Sequence, residues 1–234
     1  MPERNDPLEG VLVSIHRAGW PFIAAALVVA ALLYLAWPPL VVPGLILALF
    51  CVYFFRDPDR VVPLRPGLVV SPADGRIVAV APAPPPPDLG MAPEPVTRIS
   101  IFLNVFDVHI NRVPAAGTIA ELAYHKGKFV NAAKDKASED NERQVVRLTT
   151  PDGKDIAFVQ IAGLVARRIV CNLSRGQSVQ AGERFGLIRF GSRADIYLPA
   201  GVSALVVPGQ RAVGGETVIA DLESTEAPRQ GARR

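Results

Sequence analysis

Hydrophobic and polar positions divide the chain into two regimes. From Ala18 to Phe55 no charged residue occurs, and Arg17 and Arg56 bracket the run. That stretch is far longer than the about 20 residues of one transmembrane helix. Trp37-Pro38-Pro39 interrupts it, because consecutive prolines remove amide donors and clash with the preceding turn. The pattern predicts two apolar segments, 20–36 and 40–55, the second shortened by Pro43-Gly44. Folded back on themselves, they form a helical hairpin that either dips into a bilayer or crosses it. Trp20, Trp37, Tyr53, Phe54 and Phe55 lie near the segment ends, where amphipathic rings prefer the membrane interface. Arg17 and Arg56 would then both face the cytoplasm. A signal peptide fits less well, since its apolar core spans only about 7–15 residues. A buried core helix pair is the remaining alternative.

After Arg56 the period changes from helix-like to strand-like. Short Val/Ile-rich runs bounded by Gly, Pro or Asp fall at 67–71, 76–80, 98–104, 117–124, 144–148, 156–161, 168–173, 186–190, 194–198, 203–207 and 217–220. Many short strands at this spacing predict a mainly β fold, an antiparallel sandwich or barrel-like domain preceded by the N-terminal membrane helical hairpin. Past residue 60 no sustained helical period occurs, and 131–143 has room for a turn or two. Segment 81–95, with Pro84 to Pro87 in a row, reads as an extended surface loop. The expected division is a membrane-anchoring segment at 1–56, a β-rich domain at 57–223 and a flexible tail at 224–234.

Composition sharpens this picture. Of 234 residues, 50% are hydrophobic and 20% charged, which excludes a disordered chain and points to lipid contact. Mean hydropathy is +0.26. Net charge is +3, but no concentrated Lys/Arg stripe marks a nucleic-acid binder, and the basicity suits an anionic membrane or a phosphate. The two cysteines, Cys51 and Cys171, form no CxxC or Cys/His cluster, so neither a disulfide scaffold nor a metal site is expected.

No P-loop, dinucleotide fingerprint, HExxH or G-x-S-x-G motif occurs. Of three histidines, His16 abuts the apolar run, His125 lies in a basic turn, and His109 sits within or just after an apolar strand. Two turns stand beside it as candidates. Ser71-Pro72-Ala73-Asp74-Gly75 offers a carboxylate that could orient an imidazole, or simply an Asp-Gly hairpin turn. Phe190-Gly191-Ser192-Arg193 joins two strand-like runs, with a Gly that permits unusual backbone before a Ser. Together they suggest an Asp–His–Ser arrangement: Asp74 fixes the tautomer of His109, which takes the Ser192 hydroxyl proton.

Six motifs in this order carry a resemblance. They are Phe54-Phe55-Arg56-Asp57-Pro58, Ser71-Pro72-Ala73-Asp74-Gly75, the run from Phe102 to Arg112, Asn141-Glu142-Arg143, the run from Gly163 to Ile169, and the run from Phe185 to Arg193. Over about residues 54–199 the sequence closely resembles phosphatidylserine decarboxylase in its short bacterial and archaeal form. The resemblance implies a self-cleaving proenzyme in which Ser192 attacks Gly191, and the new chain end at Ser192 becomes a pyruvoyl cofactor. The products would be a large chain, 1–191, and a small chain, 192–234, held as a heterodimer, with any higher oligomer left open. It further implies His109 and Asp74 as base and orienting carboxylate, and a Schiff base between the pyruvoyl carbonyl and the amine of phosphatidylserine. Decarboxylation there would yield phosphatidylethanolamine, on the cytoplasmic face of the cell membrane.

Longer members of that family carry a second histidine where this chain has Arg112. Either His109 serves both self-cleavage and reprotonation, or the second role falls to water or another group. Arg167, Arg168, Lys126 and Lys128 are the cations available for a substrate phosphate. Arg193 is either a further anion ligand or a solvated surface residue. Acyl and ether lipids are not distinguished. Two other classes remain: a membrane-anchored Ser–His–Asp hydrolase that keeps Ser192 intact, and a non-catalytic tethered β-domain in which Gly191-Ser192 is only a turn.

Overall fold

Apolar runs and prolines lay out the first unit of the computed structural model, which describes residues 13–127, 141–163, 169–189 and 192–232. Helix α1 (Trp20–Ala36) starts with Pro21 in its first turn, where an amide donor is not needed. It stops at Trp37, whose extended backbone precedes Pro38-Pro39. After a 3-10 turn, α2 (Val41–Phe54) runs back. The two helices meet through small residues: Ala26, Ala30 and Ala48 are buried, and a Cβ on Gly44 would strike the Ala30 backbone. Their outer faces present Leu32, Leu35, Ile46 and Leu49 to the surroundings. At 17 residues α1 is about 26 Å long. The helical stretch Arg17–Ala36 is long and apolar enough to cross a membrane, whereas Pro38–Phe54 is shorter. A two-residue ladder, β1 (Ser14–Ile15) against β2 (Arg56–Asp57), closes the hairpin.

The second compact unit starts at Arg60 and is mainly β. Its strands are β3 (Leu68–Val70), β4 (Gly75–Ala83), β5 (Val96–Leu103), β6 (Ile110–Arg112), β7 (Gly117–His125), β8 (Arg143–Thr149), β9 (Asp155–Ala162), β10 (Ile169–Cys171), β11 (Ser178–Val179), β12 (Arg184–Ile188), β13 (Ser192–Tyr197), β14 (Arg211–Ala212) and β15 (Val218–Asp221). Eight of them form one antiparallel sheet in the order β11-β7-β8-β9-β13-β5-β4-β14, with β10-β12-β6 and β15-β3 as smaller sheets. The sheets make a half-barrel, in line with the mainly β antiparallel expectation.

Strand β13 sits between β5 and β9, so its side-chain alternation decides which groups meet which layer. Ala194 and Ile196 lie in register with Ile101 and Ile99 on β5 and with Gln160 and Phe158 on β9. This face packs into the main core with Ile77, Val146, Leu148 and Phe185. Each such fully buried aliphatic or aromatic side chain contributes about 1.5–3 kcal/mol relative to exposure. Arg193, Asp195 and Tyr197 project from the other face.

Three expectations are corrected here. Segment 81–95 is a surface loop only in part: most of it is exposed, but β4 extends into it, Pro87–Leu89 forms a 3-10 turn, and Leu89 is buried against Val145, Val159 and Tyr197 on that second face. Segment 203–207 is not a strand, contributing only an isolated bridge from Ala204 to Ala220, although Ala204 and Val206 are buried. Arg143, placed at the end of a possible helical turn, instead opens β8, and Asn141 and Glu142 before it are not helical; the rest of that segment, 131–140, lies outside the described residues.

Candidate active site

The segments of Asp74 and His109 are joined by a backbone hydrogen bond, and Ser192 stands at the head of a central strand of the main sheet. Ser192 opens β13 and is fully buried, in register with Leu103 and Ala162. Ala194, Leu103 and Ala73 pack together on the same face. His109 directly precedes β6, which pairs with β12, so Ile110 lies opposite Leu187. The Ile188 amide lies 3.4 Å from the His109 carbonyl oxygen, a long contact at the point where β12 leads toward Ser192. Asp74 follows Pro72, whose carbonyl accepts from the Arg112 amide on β6 at 2.9 Å.

The buried imidazole of His109 has a defined partner on one side. Its Nδ1 lies 2.9 Å from the backbone carbonyl oxygen of Asp107. A carbonyl only accepts, so in the neutral ring Nδ1 carries the hydrogen and Nε2 keeps the lone pair. The loop that makes this contact is fixed by its own turn chemistry: Asn104 accepts from the Phe106 amide, and Asp107 accepts from the Asn104 amide. The buried Asp107 also receives a hydrogen bond from Arg211.

Asp74 is mostly buried, and its two oxygens accept from Arg60 Nη2 at 2.7 Å and from the Gly214 amide at 2.8 Å. Loss of hydration pushes its carboxyl above the ordinary range, and the nearby Asp107 adds to this. The Gly214 amide and Arg60 pull the other way without cancelling the shift. Asp74 and Asp107 therefore share one electrostatic neighbourhood, and Asp107 is the residue that holds His109.

The Ser192 hydroxyl is buried and has no hydrogen-bond partner among the described residues. Residues around it are held tightly. Asn141 Nδ2 donates to the Ala162 carbonyl at 2.7 Å, the Ala162 amide donates to the Glu142 carbonyl at 2.9 Å, and Glu142 Oε1 accepts from the Ile169 amide at 3.1 Å. Asn141 and Glu142 thus clamp the end of β9 that lies opposite Ser192. Gln160 donates to Asn111 Oδ1 at 2.8 Å, tying β9 to β6. Gly186 admits this layering, since a Cβ there would overlap the Val170 carbonyl oxygen.

Lys126 is exposed, while Lys128, Arg167, Arg168 and Gly191 lie outside the described residues. Arg193 is not a solvated surface residue: it is 2% exposed and ion-paired with Asp195, on the opposite face from Ser192. Arg112 is buried and donates to the Gly182 carbonyl at 2.9 Å. Sequence reasoning passed over Asp107, Arg60 and Gly214. Only Asp107 carried a local signal, its place two residues before His109. A cavity of about 390 Å³ is lined by Pro63, Leu64, Pro66 and Leu68 among others, and by none of the three candidates. Among the described residues no cluster of three or more His, Cys, Asp or Glu is arranged to hold a metal ion.

Known proteins match this chain along most of its length. The family model for phosphatidylserine decarboxylase matches residues 47–220. A phosphatidylserine decarboxylase proenzyme of Cereibacter sphaeroides is 55% identical over 229 residues, covering 98% of this chain and 99% of the relative. Its counterpart in Paramagnetospirillum magneticum is 58% identical over 217 residues, or 93% of this chain and 90% of the relative. That of Granulibacter bethesdensis is 55% identical over 214 residues, 91% and 87% of the two chains. The matched range includes the segments that carry Asp74, His109 and Ser192, and the chain belongs to the phosphatidylserine decarboxylase family.

Proposed function

We propose that the protein converts phosphatidylserine to phosphatidylethanolamine with a pyruvoyl group that it makes from its own Ser192. The observation that carries this reading is the buried Ser192 hydroxyl, without a hydrogen-bond partner among the described residues, at the head of a central strand. A buried hydroxyl that no described group holds is available to give its proton to a base. The relatives' designation as proenzymes fits the same scheme.

In this scheme His109 Nε2 takes the hydroxyl proton, and Ser192 Oγ adds to the Gly191 carbonyl carbon. The Gly191–Ser192 C–N bond breaks as the nitrogen gains a proton, which leaves an ester. Loss of the Ser192 Cα proton then expels the Gly191 carboxylate. Water replaces the nitrogen, which departs as ammonia, and a keto group remains at the new chain end. The proposed products are a large chain, 1–191, and a small chain, 192–234, assembled as a heterodimer.

The pyruvoyl group, once formed, supplies a carbonyl for the substrate's primary amine and an acceptor for the electron pair left by departing CO2. The protein's own residues do the rest. His109 holds an exchangeable proton at Nε2 for return to the substrate carbon, and Asp74 sets the charge around the Asp107–His109 loop. Lys126, Lys128, Arg167 and Arg168 are the proposed cations for the lipid phosphate. The N-terminal hairpin anchors the domain on the cytoplasmic face of the cell membrane, which raises the local substrate concentration without additional contacts at the site.

Intact-mass analysis tests the reading. Two chains are expected, the smaller lacking a free N-terminal amine, and Ser192→Ala should leave one chain of 25.0 kDa. A single uncut parent chain, or two fragments from Ser192→Ala, would overturn it. An uncut but lipid-hydrolysing parent would favour a serine hydrolase instead.

A further inference from the structure

The turn that leads into His109 holds two apolar side chains outward. Strand β5 ends at Leu103, and residues 104–107 fold into a turn closed by the Asp107 amide, which donates to the Asn104 carbonyl at 3.0 Å. Two side-chain bonds lock it: the Phe106 amide donates to Asn104 Oδ1 at 2.8 Å, and the Asn104 amide to Asp107 Oδ2 at 2.9 Å. Val105 and Phe106 form the tip and are 39% and 63% exposed, while His109, three residues beyond Phe106, is buried. A lone exposed ring needs no explanation, but this one has charged company. Phe102, Arg76 and Arg211 lie in register across β5, β4 and β14, at the end of β5 that runs into the turn. Both arginines are exposed, and Arg211 reaches the turn itself through its hydrogen bond to Asp107. Like charges directly opposite one another on a sheet repel, and an anionic surface laid against them relieves that repulsion.

We propose that this tip is a membrane-docking surface: Val105 and Phe106 enter the acyl boundary of a bilayer, while Arg76 and Arg211 meet its anionic headgroups. The proposal rests on the decarboxylase reading above, in which the substrate is a phospholipid. Such a substrate presents its reacting headgroup in a layer about 5–8 Å thick on each side of the hydrocarbon. Three residues of chain reach at most about 11 Å, so a ring at 106 seated at the hydrocarbon edge keeps His109 within reach of that layer. Amphipathic elements bury apolar side chains about 5–10 Å into this boundary, with basic residues alongside to meet anionic lipid. Because hydrogen bonds already lock the turn, docking orders little that was free beforehand.

Two physical forms of the substrate separate docking from folding and chemistry. Full-length Phe106→Ser should cut itself at a rate within about twofold of the parent, because the exposed ring takes no part in the turn's hydrogen bonds. On dihexanoyl phosphatidylserine dissolved as monomers, its kcat/KM should also stay within about twofold of the parent value. On long-chain phosphatidylserine in phosphatidylcholine vesicles, kcat/KM should fall by about tenfold or more. Arg76→Gln should raise KM on those vesicles about fivefold at low salt with kcat within about twofold, and high salt should erase the difference. Equal losses on both substrate forms, or parent-like vesicle kinetics in both variants, would overturn the docking surface while leaving the decarboxylase reading intact. A changed oligomeric mass in Phe106→Ser would overturn it too, by assigning the tip to a contact with a second copy. A parent that decarboxylates neither form overturns both readings.

Discussion

His109 Nδ1 lies 2.9 Å from the carbonyl oxygen of Asp107, a backbone atom, so a main-chain contact sets the tautomer of the candidate base. Because the holder is main chain, substituting the Asp107 side chain acts on the loop and its charge, and the acceptor itself stays. The imidazole is the part that can be removed cleanly. His109→Gln should slow the appearance of the two chains by about 10²–10⁴-fold, the usual worth of a positioned general base. A time course of intact mass after synthesis measures this, and parent-like cutting would move the base role elsewhere.

Asp74 should leave a signature in the pH dependence of stability. Burial, reinforced by Asp107, raises its folded-state pKa above the ordinary 3.8. The folded state therefore binds more protons than the unfolded state in the window just above that value. Its contribution to stability is fully present below the ordinary value and is lost as pH rises through the raised one. Asp74→Asn does not titrate, so its unfolding midpoint should fall less than the parent's between about pH 4 and the neutral range. Parallel curves for the two proteins would contradict this assignment.

Gly186 is a packing requirement of the β10–β12–β6 sheet. A Cβ there overlaps the Val170 carbonyl oxygen, which is backbone and cannot swing aside. Gly186→Ala should cost about 1–3 kcal/mol. It should also slow self-cleavage, because β12 carries the chain from His109's partner strand toward Ser192. Thermal unfolding and the mass time course would report the two effects separately.

In the first unit, Gly44 lets the two helices touch at Ala30. Gly44→Leu should splay the hairpin without disturbing the β unit. The expected result is weaker retention in membrane pellets, with self-cleavage unchanged. Equal retention would argue that hairpin packing does not govern anchoring.

Much of this architecture was legible in the sequence because alternation reports burial directly. The runs around Ile99 to Leu103 and Ala194 to Leu198 read as strands, and they became β5 and β13. Strands β6, β11 and β14 escaped, since two or three residues are too few to show a period. Segment 203–207 misled for the complementary reason: its apolar residues are buried without a ladder. The prolines at 84–87 looked like a solvated loop because composition alone does not reveal Leu89 anchoring the segment. At the site, Ser192, His109 and Asp74 carried recognisable motifs. The carbonyl of Asp107 and the amide of Gly214 had no side-chain signature by which they could be found.

The position of β13 between β5 and β9 has a thermodynamic consequence. A chain severed just before residue 192 donates an interior strand to a sheet whose other members come mostly from the other fragment. Melting such a body separates two molecules rather than one, so its midpoint should climb with protein concentration. The uncut precursor would unfold as a single molecule and show no such dependence.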